Sequence, residues 1–163
     1  MSIVPAVASL LVDVPLGWSA DWAWGLPLIV LTTLIHVFGL SLIRGRVVRH
    51  FDRISQMHHP TAVFVAVMGA TTLSTTVLHI AEAGIWAFAY KSLGALQDYR
   101  TAMLYSLNAI TSYGHTNISL EDYWHFMGAL EALNGWLLFG LSTAFLFGVI
   151  AKVWSVFGKL EQE

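Results

Sequence analysis

Two groups of residues in this chain have types and a spacing suited to chemistry. The first is the polar heptad Thr111, Ser112, Tyr113, Gly114, His115, Thr116 and Asn117, set between a short amphipathic stretch and a long apolar run. A turn of this kind leaves main-chain carbonyls unpaired, and rings of such oxygens can replace the water around a cation. The second group is ionisable and lies inside apolar runs: His36, His79, Glu82 and Glu131. His79 and Glu82 are three apart and share a helix face. They supply half of a bundle-type Glu/His metal site, which only His36 or Glu131 could complete. Ionisable groups within a membrane span are costly and face protein or water. The sequence therefore assigns His79 and Glu82 to bracing the short helix through Tyr105, Asn108 or Arg100. Glu131 is assigned similar work from the last apolar run, and no metal or other cofactor is expected. The chain has no cysteine, which excludes disulfides, thiolate metal sites and cysteine nucleophiles.

The elements that must position these groups belong to a membrane protein. The chain is 56% hydrophobic and 11% charged, against about 25% charged in a soluble domain. A net charge of −2 gives no reason to expect a nucleic-acid partner. Crossing a hydrocarbon core takes about 20 helical residues, and three runs suffice, at 26–43, 61–90 and 125–153. Residues 97–110 are too short and too polar to span, and suit a re-entrant helix. Such a helix needs protein around its broken end, which favours an oligomer. Residues 4–22 read as an interfacial segment with Trp18, Trp22 and Trp24 at headgroup level. Arg44, Arg46, Arg49 and Arg53 follow the first run, and Lys152 and Lys159 the third, whereas only Lys91 and Arg100 lie on the other side. The positive-inside rule then puts the 44–59 linker and the C-terminus in the cytoplasm, with the N-terminus and the polar turn outside.

This gives three parts. Residues 1–60 hold the interfacial segment, a first transmembrane helix and a basic linker that suits the inner leaflet. Residues 61–153 hold helix, short helix, turn and helix, and 154–163 form a short tail. The central part resembles the helix–pore-loop–helix unit of potassium channels and their bacterial relatives. The resemblance rests on Tyr105-Ser106-Leu107 before the turn, and on 128–133 (GALEAL) and 137–140 (LLFG) after it. His79, Glu82, Trp86 and Tyr90 also resemble a bacterial subgroup. It implies an all-helical homotetramer around a central pore, in the cell (inner) membrane and in contact with its lipids. The protein would conduct monovalent cations, K+ above all, and catalyse no reaction.

The turn departs from the family's Thr-Val-Gly-Tyr-Gly, usually followed by Asp. One register aligns Tyr113-Gly114 on the family's Tyr-Gly. The other, preferred because it aligns Ser106-Leu107 with the end of the family's pore helix, makes the filter Ser112-Tyr113-Gly114-His115-Thr116. His115 then replaces Tyr and Asn117 replaces Asp. A glycine of the family is replaced by Thr116 in the preferred register and by Ser112 in the other, so a wider outer filter forms the alternative, with weak or no selectivity and passage of divalent cations. A non-conducting, channel-like sensor is a second alternative. His115 either hydrogen-bonds behind the filter or faces the axis, where its charge would repel cations.

For the last helix, a pore-lining face is expected at Asn134, Leu138, Leu141, Phe145 and Gly148, with Phe145 as a dewetting gate. Leu137 or Ala144 could take that face instead. Gly128, Gly135, Gly140 and Gly148 suit close helix packing, and Gly135 or Gly140 could be a hinge.

Overall fold

Long apolar runs with few breakers give long helices. The computed structural model describes residues 16–54, 60–114 and 118–160, apart from the side chains of residues 16, 17, 48, 50–54, 60, 122 and 153–160. Among the described residues the structure is helix and turn, with no strand. Helix α1 is Leu16–Ile54, α2 is Pro60–Ser92, α3 is Tyr99–Ile110 and α4 is His125–Leu160, with a 3-10 turn at Asp122–Trp124 before α4. Three segments are long and apolar enough to cross a membrane: Trp18–Val47, Thr61–Ser92 and His125–Lys152. At about 1.5 Å per residue each exceeds the roughly 30 Å hydrocarbon core.

Helix α1 corrects two expected boundaries. Trp18, Trp22 and Trp24 belong to its opening turns, not to a separate interfacial segment, and residues 4–15 lie outside the described residues. Trp18 and Trp22 pack on Phe126 of α4, with ring centroids 5.4 Å apart in each case. At its other end α1 runs on through the basic residues to Ile54. Arg is a good helix former and no glycine–proline break intervenes, so helix continues where a linker was expected.

Helix α3 is 12 residues long, about 18 Å, and cannot cross the core. It starts at an N-cap, where Asp98 Oδ1 accepts from the Thr101 amide at 2.9 Å. Ahead of it the chain leaves α2 through left-handed Gly94, with the Ala95 amide returning to the Tyr90 carbonyl at 2.9 Å. Its buried side chains are Ala102, Tyr105, Ser106, Ala109 and Ile110, which lie against α2 and α4. Trp86, Tyr90, Met127 and Leu130 complete that core. Two glycines of α4 let α3 approach closely. A Cβ on Gly128 would strike the Tyr105 hydroxyl, and one on Gly135 would strike the Ile110 carbonyl. A Cβ on Gly140 or Gly148 would meet no described atom within 4 Å beyond its own stretch of helix.

Candidate functional site

The polar heptad begins where α3 ends. The Ser112 amide donates to the Ala109 carbonyl and the Tyr113 amide to the Asn108 carbonyl, each at 2.9 Å, winding the chain tightly off the helix. Ser112 is left-handed at φ 54° and Gly114 at φ 90°. Glycine enters that region freely, whereas serine does so at a cost and needs an anchor. Trp136 of α4 supplies one, its indole N–H donating to Ser112 Oγ at 2.9 Å. Thr111 turns its hydroxyl back to the Leu107 carbonyl at 2.7 Å. Tyr113 is 84% exposed, so its ring is not packed by its own chain. The negative end of the α3 dipole is directed at this turn. At the other end of α3, the hydrogen bonds from Thr101 hold the Asp98 carboxyl below its ordinary range. His115, Thr116 and Asn117 lie outside the described residues. Sequence reasoning did not find Trp136. The available signal was an indole N–H in an apolar helix, which needs an acceptor.

Behind the turn, Glu131 joins three helices. It accepts from the Tyr90 hydroxyl of α2 at 2.6 Å and from the Ser106 hydroxyl of α3. Ser106 Oγ also lies 2.7 Å from the Ala83 carbonyl, and its single proton serves one of these two acceptors at a time. Tyr105 stands edge-on to Tyr90 at 5.2 Å. Glu131 is thus the carboxylate that holds α3.

His79 and Glu82, expected to brace the same helix, face elsewhere. Glu82 Oε1 lies 2.8 Å from His36 Nδ1 on α1, and Glu82 Oε2 lies 3.5 Å from His79 Nδ1. The Nε2 atoms of His36 and His79 lie 3.1 and 3.0 Å from one hydroxyl, Ser142 of α4. The four side chains close a ring across α1, α2 and α4, which the spacing of His79 and Glu82 only half announced. Ser142 was the missed member, because a lone serine in an apolar run carries no signal of its own. Asn108 is half-buried on α3, and its carbonyl serves the turn.

The stripe expected to line a pore divides. Asn134 and Leu138 are fully buried inside the chain. The Asn134 amide donates to Thr32 Oγ1 of α1 at 2.7 Å, and Leu138 packs with Ala83 and Ile110. Leu141 is exposed and Phe145 half-buried, while Leu137, Gly140, Ala144 and Gly148 form an exposed stripe. A polar face on a membrane helix can look into a pore or into its own bundle, and here Thr32 provides the bundle partner. The chain matches no protein-family model, no curated protein and no solved structure.

Proposed function

We propose that the chain is the subunit of a homotetrameric cation channel of the cell (inner) membrane, passing monovalent cations, K+ foremost, through a pore lined at its outer end by the 112–116 backbone. The observation that carries this reading is α3 itself. It is a helix too short to span, seated between two spanning helices, whose C-terminal end runs into a turn with left-handed Ser112 and Gly114. Half-helix C-termini and unwound carbonyls are the standard cation ligands of membrane proteins, because they bring negative partial charge without a buried ion's desolvation cost. Conduction is passive, and no bond is made or broken. Four copies around an axis would bring the exposed Tyr113 turns together and give each irregular segment the protein surroundings it needs in lipid. With Asn134 and Leu138 occupied inside the protomer, Leu137, Leu141 and Ala144 become the residues facing the conduit below the filter. The basic end of α1 and the end of α4 lie in the cytoplasm, and the N-terminus and the turn lie outside.

Gly114 is the one glycine between Ala109 and Asn117, and this favours a second reading with fewer carbonyl rings and weak selectivity. Flux into liposomes holding the purified protein separates the two, with K+, Na+ and N-methylglucamine gradients at about pH 6 and about pH 8. Flux of K+ alone supports the selective cage, and equal K+ and Na+ flux supports the wider one. Loss at the lower pH assigns His115 to the axis. Absence of flux under every condition, from a correctly assembled tetramer, overturns the channel reading in favour of a non-conducting sensor.

A further inference from the structure

The ring formed by His36, His79, Glu82 and Ser142 is not needed for conduction, yet it brings three metal-ligating side chains together in one place. Ligand atoms of the two histidines and the glutamate all lie within 4.8 Å of one another. His36 and Glu82 are fully buried, and the His79 side chain is 18% exposed. Glu82 Oε2 has no hydrogen-bond partner although it is buried. A carboxylate oxygen left bare in an apolar bundle calls for a cation or a donor.

We propose that His36, His79 and Glu82 form a binding site for a divalent transition metal of the zinc class inside each subunit. Three protein ligands of the His, His, Glu type are a known zinc donor set, completed by water or another oxygen. With bonds of about 2.1 Å, donors at the corners of a tetrahedron stand about 3.4 Å apart. His36 Nδ1 lies 2.8 Å from Glu82 Oε1 and His79 Nδ1 lies 3.5 Å from Glu82 Oε2, and with one ligand atom from each residue within 4.8 Å of the others the three side chains stand close to that spacing around a common point. Ser142 supplies the outer contact. Its oxygen has two acceptor lone pairs and can take Nε2–H from both rings at once. With a metal bound both Nδ1 atoms are then unprotonated and free to ligate it, whereas without metal the 2.8 Å contact between His36 Nδ1 and Glu82 Oε1 carries a proton. Fixing the imidazole tautomer from behind in this way is what an outer-shell partner does in metal sites. The charge count agrees, since one carboxylate and two neutral imidazoles suit a divalent ion better than they suit an empty apolar interior. The site joins the additional first helix to both spans of the pore-loop unit.

The test is Co2+ binding by the purified full-length protein in micelles, read by visible d–d absorption and displaced by Zn2+. It is carried out with His58→Asn and His59→Asn, because that adjacent pair can hold a metal independently. One Co2+ per chain is expected, with a four- or five-coordinate spectrum. Binding is lost in His36→Ala and in Glu82→Gln, and weakened about 10–100-fold in Ser142→Ala. Circular dichroism and particle size establish that each variant is folded. X-ray absorption of the Zn2+-loaded unsubstituted site, which needs no ring variant, should show two imidazole nitrogens and carboxylate oxygen. No stoichiometric Co2+ or Zn2+, a shell without two imidazoles, or binding unchanged by His36→Ala in folded protein would each overturn the proposal. None of these readouts depends on ion flux, so the site and the channel reading stand or fall separately.

Discussion

Replacing Gly135 by alanine adds one carbon to the chain and puts it in the most crowded place on α4. The new Cβ would stand 2.8 Å from the carbonyl carbon of Ile110 and 3.0 Å from its Cα, with the carbonyl oxygen nearer still. These are backbone atoms in the last turn of α3, so no side-chain rotation relieves the contact. The end of α3 must retreat by about 1 Å or more to restore ordinary packing distances. Overpacking of this sort costs about 1–3 kcal/mol, and alanine's better helix propensity returns at most about 1 kcal/mol. A net loss of about 1–2 kcal/mol is expected, with the Ser112 turn carried along because it begins one residue beyond the displaced end.

Gly140→Ala is the internal control. No described atom beyond its own stretch of helix lies within 4 Å of its added carbon, so only propensity acts and the helix gains up to about 1 kcal/mol. The two substitutions therefore have opposite signs on one helix. Unfolding in micelles by graded addition of SDS, followed by tryptophan fluorescence, reads both, since Trp86 is buried in the packed core and Trp136 lies against the turn. Equal stability of Gly135→Ala and the unsubstituted protein would refute the contact argument. A stabilised Gly135→Ala with altered ion flux in liposomes would restore the hinge reading of that glycine.

Three further outcomes follow from the same contacts. Glu131→Gln keeps a satisfied chain, with the Tyr90 hydroxyl donating to the amide oxygen, the amide donating to Ser106 Oγ and Ser106 donating to Ala83. It should cost under about 1.5 kcal/mol, whereas Glu131→Ala should cost about 2–5 kcal/mol through lost contacts and a cavity, both measured by SDS unfolding. Trp136→Phe frees Ser112 Oγ and should raise hydrogen exchange at the Tyr113 and Gly114 amides. Ser112→Ala should do the same, and the double variant should go no further than either single one. The lowered pKa of Asp98 means that its cap stabilises α3 fully above its ordinary value of 3.8, and the contribution is lost as pH falls through the lowered value. Amide exchange at Thr101 should accelerate over that acid range, and Asp98→Asn, which still caps, should abolish this dependence.

The helices were legible because membrane spans declare themselves by length and apolarity, and α3 by being polar and short between two such spans. Their ends were less legible. The start of α1 was hidden by Trp18, Trp22 and Trp24, which read as interface, and Pro27 is accommodated inside the helix. Among the candidate site residues, the 111–114 turn was readable from its composition, but its anchor Trp136 was not, since an anchor is defined by a partner 24 residues away. His79 and Glu82 announced a shared face, not the identity of what they face. His36 and Ser142 lie 46 and 106 residues distant from their ring partners Glu82 and His36, and no local pattern links them. Asn134 shows the limit most clearly. Its polarity marked the inner face of α4, and only the position of Thr32 decides that this face turns toward the bundle.

That inner face explains how the bundle is fixed. Glu131, Asn134, Leu138 and Ser142 follow one another at steps of three and four, and all are buried. Glu131 meets α2 and α3, Asn134 meets α1, and Ser142 meets α1 and α2. Lipid is as apolar as leucine, so the hydrophobic effect cannot tell one rotation of α4 from another, and polar contacts must do so. Each contact is individually modest, near 0.6 kcal/mol on average in membrane proteins. Sliding α4 by one turn, about 5.4 Å, would break all of them together, leaving Glu131 and Asn134 unpaired in an apolar interior and the two histidine Nε2 atoms without Ser142. The penalty for the wrong register is therefore several times any single bond, and it is levied partly through α1. Thr32 and His36 make the first helix an integral partner of the other three, because without it the Asn134 amide and Glu82 Oε1 would each lose their hydrogen-bond partner.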